Sequence, residues 1–251
     1  MNCLSVGSGL NMRLDVITLF EELFKPFVSL GVNRRAFELG HIDLQFWNPR
    51  DYAQGTYKRV DDRPFGGGPG MVMMAEPLAL CVQAIQDQRQ SLGQSLAPVI
   101  LFSPVGERLD HASVQGLSNA TEGAILICGR YEGLDQRFID QFVTRQLSLG
   151  DFVLSGGEVA CLALIDAMAR LQPDVLNDSL SHEMDSFNPK LGGLLDCPHY
   201  TRPEIWREQT VPGVLLSGHH QDIEKWRQQK RLELTQALRP DLLKTPSQAS
   251  N

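Results

Sequence analysis

Three glycine-bearing segments close short apolar runs, and they are the first places where this chain could do chemistry. Ser103-Pro104-Val105-Gly106 follows the run that begins at Pro98, and Gly129-Arg130-Tyr131-Glu132-Gly133 follows Ala124–Cys128. Gly150-Asp151 and Ser155-Gly156-Gly157-Glu158 bracket Phe152-Val153-Leu154. Glycine lets a backbone approach a ligand closely and leaves bare N–H groups. In open α/β sheets, ligands sit at the carboxyl ends of strands. Any one of these glycines could simply make a tight turn, but three such turns in one domain point to a composite small-molecule pocket. Arg170 ends an apolar helical stretch, where a cation complements the helix dipole. Asp185 lies in a polar stretch as a solvated carboxylate or turn former, and His199 and Tyr200 read as capping or packing residues. Three other chemistries lack their signatures. There is no GxxxxGK[ST] phosphate loop, no GxGxxG after a strand and no GxSxG nucleophile elbow.

The elements that must position these turns read as an α/β layered domain. Arg13–Leu19 and Ile42–Trp47 have strand character. Pro98–Ser103 and Ala124–Cys128 are nearly all apolar, as suits strands buried on both faces of a parallel sheet. Glu21–Leu30, Asn33–Leu39, Glu76–Gln90 and Leu109–Leu117 read as helices. Glu158–Leu171 is apolar nearly all round, so a buried helix is expected there. The stretch from Asp174 to Pro198 is rich in Asp, Ser, Asn, Gly and Pro and reads as an irregular linker. Beyond it the pattern turns helical. In Gln221–Leu238, Ile223, Trp226, Leu234 and Leu238 can share an inward face, and Lys225, Arg227, Lys230 and Arg231 are left for solvent or a polyanion.

A length of 251 residues exceeds a typical single domain, so one large domain and one small one are expected. The net charge is −7, distributed unevenly. Residues 1–199 carry 15 Lys and Arg against 24 Asp and Glu, whereas residues 200–251 carry 8 against 6. A polyanion therefore meets least repulsion at the C-terminal end. Five cysteines, Cys3, Cys81, Cys128, Cys161 and Cys197, form no CxxC pair. They read as reduced thiols of a cytoplasmic protein, with no metal site expected. No apolar stretch approaches the roughly 20 residues of a membrane span. The opening residues lack a signal-peptide pattern and read as a flexible extension, 1–11, before Met12.

Taken together, the motifs resemble one family. DRPFGGGPGMVM (Asp62–Met73), SPVGERLD (Ser103–Asp110), CGRYEGLD (Cys128–Asp135), LGDFVLSGGE (Leu149–Glu158), GLLDCPHYTRP (Gly193–Pro203) and VLLSGHH (Val214–His220) occur in the order seen in the bacterial tRNA (guanine-N1)-methyltransferases of the SPOUT class, the TrmD family. The resemblance runs from Met12 to about Leu243. It implies a SPOUT-type α/β domain, a parallel sheet with a deep trefoil knot, over 12–175. A flexible linker at 176–198 and a small all-helical tRNA-binding domain at 199–251 would follow.

The resemblance further implies S-adenosylmethionine bound where the glycine turns meet, against Leu101, Ser103, Pro104, Gly129, Tyr131, Leu149, Gly150, Asp151, Phe152, Val153, Leu154, Gly156 and Gly157. The implied reaction methylates N1 of guanosine at tRNA position 37. That nitrogen carries a proton at neutral pH, so a base must remove it as the methyl group arrives. Asp185, the Asp of the Asp-Ser-Phe segment, matches the family's base. Arg170 matches the arginine that stabilises charge developing on guanine O6. Glu132 matches an acidic residue that supports the site, with Mg²⁺ as a candidate ligand. The implied partners are tRNA and a second copy of the chain in a homodimer, with neither DNA nor a membrane expected. Phe65 and Phe152 stand where tyrosine is common in the family, and Asn188–Gly193 is longer than usual. Two other functions compete with this one. A related SPOUT RNA methyltransferase acting on another base or a ribose hydroxyl would need no linker Asp. A non-catalytic RNA-binding or S-adenosylmethionine-sensing module would need neither Arg170 nor Asp185.

Overall fold

The computed structural model describes residues 11–176 and 182–243. Most of the expected N-terminal extension, residues 177–181 of the expected linker and the last eight residues lie outside this description. The chain divides into two compact units, Met1–Leu176 and Asn177–Asn251.

In the first unit the elements run β1 (Met12–Ile17), α1 (Lys25–Ser29), α2 (Arg34–Glu38), β2 (Ile42–Trp47), β3 (Asp61–Asp62), β4 (Val72–Met73), α3 (Ala75–Ser91), β5 (Val99–Arg108), α4 (His111–Ser118), β6 (Ala124–Ile127), α5 (Gln136–Phe142), β7 (Arg145–Ser148) and α6 (Glu158–Ala169). Five strands form one sheet in the order β2-β1-β6-β5-β7, with every pairing parallel. The apolar runs behave as strands covered on both sides. Leu14, Val16, Ile100, Phe102, Ala124 and Leu126 face one core together with Leu164, Ile165 and Met168 of α6. Their alternates Ile17, Val99, Leu101, Ile125 and Ile127 face a second core with Leu78, Val82 and Ile85 of α3 and Phe138 of α5. Both members of each alternation are therefore apolar, as a parallel sheet with helices on each face requires. Arg89 fastens α3 to the sheet through Asp15, at 2.7 Å, with both side chains buried.

The structure revises the expected elements in several places. Ser103-Pro104-Val105-Gly106 is not a turn after a strand but part of β5. Strand β7 pairs first with Ile100–Phe102 and then with Glu107–Arg108, across a register shift. Gly106 runs so close to β7 that a Cβ there would lie 2.5 Å from the Gln146 carbonyl carbon. The expected helix at Glu21–Leu30 divides into a 3-10 turn, Glu21–Leu23, and the short α1. Helix α5 and strand β7 are additions.

The second unit holds two 3-10 turns, His182–Met184 and Pro189–Leu191, then β8 (Ile205–Trp206), β9 (Gln209–Thr210), α7 (Gly213–Leu216), α8 (His220–Leu238) and a third 3-10 turn, Pro240–Leu243. The β8–β9 hairpin modifies the expected all-helical character. Its two loop residues, Arg207 and Glu208, both take positive φ, 46° and 69°, the backbone that matches the twist of a two-residue hairpin. The later part of the stretch expected as a linker is bonded to α8. Leu195 N–H donates to Thr235 Oγ1 at 3.0 Å, and Arg231 Nε donates to Asp196 Oδ1 at 3.4 Å. Among the described residues no helix is long and apolar enough to cross a membrane.

Candidate active site

The carboxyl ends of β5, β6 and β7 open onto a cavity of about 460 Å³ in the first unit. Leu101–Val105 form one wall, Gly129–Leu134 a second, and Gln146–Leu149 with Phe152–Leu154, Gly156 and Gly157 the rest. The last two walls are stitched together by the Gly157 N–H, which donates to the Gly129 carbonyl at 2.9 Å. Glycine at 157 is dictated by this approach, since a Cβ would sit 2.8 Å from the Cys128 Cα. The expected cofactor residues thus converge, with two exceptions. Gly150 and Asp151 do not line the cavity. They make the turn that precedes it, in which Gly150 N–H donates to Ser148 Oγ at 3.2 Å and the Gly150 carbonyl accepts from Phe152 N–H at 2.9 Å.

The lining pairs apolar side chains with glycine backbone, a surface for a flat or flexible organic ligand. Tyr131 sits at φ 61°, and its phenol shares hydrogen bonds with Asp61 and Arg50. Burial first, and the Asp61 charge next, push its pKa up, so it stays a neutral hydroxyl at physiological pH. Cys128, directly behind Gly129, is buried, and that burial together with a hydrogen bond to Cys161 raises its pKa well above the ordinary value. A protonated, enclosed thiol is no nucleophile. Glu132 stands at the exposed lip with its carboxylate against Gly70, whose missing Cβ would lie 2.4 Å from Oε1.

Of the three residues expected to act on substrate, only Glu132 lines this cavity. Arg170 is the half-buried C-cap of α6, its N–H bonded to Asp166 O at 3.1 Å. Asp185 belongs to the second unit. It is half-buried after the His182–Met184 turn, and its carbonyl accepts the Asn188 N–H at 3.3 Å. His199 and Tyr200 pack within that unit. His199 Nε2 meets Asp196 Oδ2 at 2.9 Å, and the Tyr200 ring lies 6.2 Å from that of Trp226. Ligand-capable atoms of Asp196, Cys197 and His199 come within 4.8 Å of one another. The carboxylate there already meets the positive charge of Arg231.

The second unit corrects the expectation for its long helix. Arg231 does not face solvent: it is 3% exposed, bonded by Nη1 to Glu224 at 2.9 Å as well as to Asp196. Leu238, expected inward, is 64% exposed. Every other cation of α8 has an acidic neighbour one turn away, Lys225 with Asp222, Arg227 with Glu224 and Lys230 with Glu233.

A pair of residues with no expected role of their own ties the cavity wall to the helix beyond it. Arg130 and Glu158 join the second wall to the start of α6, with Nη2 and Oε2 2.9 Å apart. Their separation by 28 positions left no local sequence signal of the pairing.

The chain is similar to known proteins over most of its length. The profile of the family described as tRNA (Guanine-1)-methyltransferase TrmD matches residues 12–245. A protein of Polaromonas sp. (strain JS666) named tRNA (guanine-N(1)-)-methyltransferase is 65% identical over 232 residues, 92% of this chain and 89% of that protein. The protein of the same name from Albidiferax ferrireducens is 66% identical, covering 92% of each chain. That from Bordetella pertussis is 56% identical over 92% of this chain and 90% of its own length.

Proposed function

The chain belongs to the tRNA (guanine-1)-methyltransferase family, and from that premise we propose that it transfers a methyl group from S-adenosylmethionine to N1 of guanosine at position 37 of tRNA. The observation that carries the proposal is the convergence of three glycine-bearing segments on one cavity at the carboxyl ends of β5, β6 and β7. The cavity suits the cofactor. Leu101, Leu149 and Leu154 offer an apolar seat for a purine, and the glycine backbone at 129, 156 and 157 allows close approach. When bound, S-adenosylmethionine supplies an electrophilic methyl group on a sulfonium.

The remaining work falls to side chains. Asp185 takes the N1 proton, which turns a poor nucleophile into a competent one. Such general-base assistance contributes roughly 10²–10⁴-fold. Arg170 holds its guanidinium toward guanine O6, where negative charge gathers as the proton leaves. Asp185 and Arg170 would act on the same base, and a homodimer would let one subunit complete the site of another. Glu132 supports the lip of the cavity. It is the one carboxylate among the lining residues, and Mg²⁺ is commonly held by one or two carboxylates with waters and phosphates, so Glu132 would supply a single oxygen ligand. The family's deep trefoil knot would hold the cofactor where these glycine-bearing segments meet. The second unit binds tRNA, and the reaction takes place in the cytoplasm.

Incubation with tritiated S-adenosylmethionine and unmodified tRNA, followed by nuclease digestion and mass spectrometry, tests the proposal. The expected product is 1-methylguanosine at position 37. A tRNA with adenine there should stay unmethylated, because adenine N1 carries no proton and its 6-amino group offers Arg170 a donor. Efficient methylation of the adenine form would overturn the roles given to Asp185 and Arg170.

A further inference from the structure

The cation in the cavity wall is held rigidly in place. Arg130 is the one positively charged residue among those lining the cavity, and its guanidinium is held at several points. Nε donates to Glu158 Oε1 at 3.1 Å, and Nη1 donates to the Ser155 carbonyl at 3.2 Å. Nη2 lies 2.9 Å from Oε2 as an ion-pair contact. One face of the guanidinium stacks over the Phe20 ring, 4.5 Å from its centroid. Gly156 is packed against it so tightly that a Cβ would fall 2.3 Å from Nε. The side chain has little room to swing away from a ligand.

A fixed cation beside a cavity repels a positively charged ligand, and the repulsion is stronger away from bulk water. Glu158 lies where it can cancel that charge. It is 1% exposed, accepts a hydrogen bond from Thr18 Oγ1 at 2.9 Å, and opens α6, where the helix dipole favours an anion.

We propose that Arg130 and Glu158 are positioning residues that join two walls of the cavity and, as a neutralised pair, make it tolerant of the sulfonium cation of S-adenosylmethionine. This rests on the reading that the cavity holds that cofactor. Two separable consequences follow. As a clip, the pair sets the shape of the cavity for any ligand. As a charge pair, it sets the preference between the cationic S-adenosylmethionine and its demethylated product S-adenosylhomocysteine, which lacks the sulfonium charge.

Calorimetric titration with both ligands separates these roles. Glu158→Gln retains the side-chain shape and an acceptor for Thr18 but leaves Arg130 unneutralised. It should weaken S-adenosylmethionine about tenfold more than S-adenosylhomocysteine. Arg130→Gln should move the preference the opposite way, and the double variant should return it close to the wild-type ratio. The Arg130→Gln measurement stands by itself if Glu158→Gln does not fold. Equal weakening of both ligands in each single variant would reduce the pair to a clip and overturn the electrostatic role, as would an unchanged ratio. If the wild-type protein bound neither ligand, the reading of the cavity itself would fail, an outcome distinct from either.

Discussion

The two units differ in how much of their chemistry each assembles from its own backbone. In the first, strands, glycine turns and the Gly157–Gly129 hydrogen bond build a cavity lined by that unit's own residues. In the second, Asp185 sits on a loop where its carbonyl accepts the Asn188 N–H, and the most buried ion pair anchors the chain rather than presenting charge. Asp196, on the stretch before α8, is held to Arg231, and Arg231 to Glu224. A site for a small ligand can be preformed within one unit.

The largest expected effect tests that division directly. Asp185→Asn should lower methyl transfer by roughly 10²–10⁴-fold and change S-adenosylmethionine affinity no more than a few fold, measured by single-turnover assay and calorimetry. Near-normal turnover would remove Asp185 as the base, and a matching loss of cofactor affinity would make the second unit part of the cofactor site. Arg170→Ala comes next, with an expected loss of about 10²–10³-fold. Arg170→Lys should recover only part of it, because a point charge does not reproduce the guanidinium fork. Full recovery would sink the geometric role.

Gly157→Ala probes the other side of the comparison. Its Cβ would press on the Cys128 backbone, and overpacking of this kind costs about 1–3 kcal/mol. If that strain is relieved by parting the two walls, cofactor affinity falls by roughly 5- to 150-fold while tRNA affinity measured without cofactor stays unchanged. Parallel loss of tRNA affinity would show that the cavity and the RNA surface are not separate.

Much of the first unit is legible because its signals are local. Alternate residues of Ala124–Cys128 serve opposite cores, so the whole run is apolar, and the glycines mark the places where strands pass close. The missed elements carry no such mark. Strand β7 reads Arg-Gln-Leu-Ser with only Leu147 and Ser148 buried, and α5 is a short polar helix with Phe138 alone buried. Partners distant in sequence were equally hidden. Arg231 looks like any surface cation of a charged helix until Asp196, 35 positions away, is brought beside it. The Arg130–Glu158 pair is opaque for the same reason. Motif resemblance does not separate Gly150 and Asp151, which shape a turn, from Phe152, which lines the cavity.

The Asp196–Arg231 clasp should also show in acid. Burial opposes ionisation of Asp196, but the Cys197 N–H, His199 and Arg231 outweigh it and hold its pKa below the ordinary value. Its contribution to stability is therefore complete above the unfolded carboxylate pKa of about 3.9. It is lost as pH falls through the lower folded value. Asp196→Asn should be less stable than wild type at neutral pH, and the gap should narrow below about pH 4. Urea unfolding followed through Trp206 and Trp226 fluorescence reads this, and a gap independent of pH would show that the carboxylate charge is not what holds the clasp.

The smallest effects belong to the cations of α8, where the expectation from sequence and the structure part most clearly. Four Lys and Arg within Lys225–Arg231 suggest a phosphate-binding stripe, yet one of them is buried and the others have acidic neighbours on the same helix. Exposed pairs of that kind are worth about 0–1 kcal/mol, so Lys225 and Lys230 can exchange a carboxylate for a phosphate at little cost. Arg231 cannot, because leaving its place would strand Asp196 half-buried without its cation. Lys225→Gln with Lys230→Gln should flatten the log–log salt dependence of tRNA binding by at most roughly 0.9 per lysine and leave stability nearly unchanged. Arg231→Met should do the reverse, lowering stability by about 1–3 kcal/mol with the salt slope intact. If Arg231→Met flattened the slope while the fold kept its stability, the guanidinium would have to reach the RNA. The clasp would then be a resting arrangement that tRNA displaces rather than an anchor of the unit.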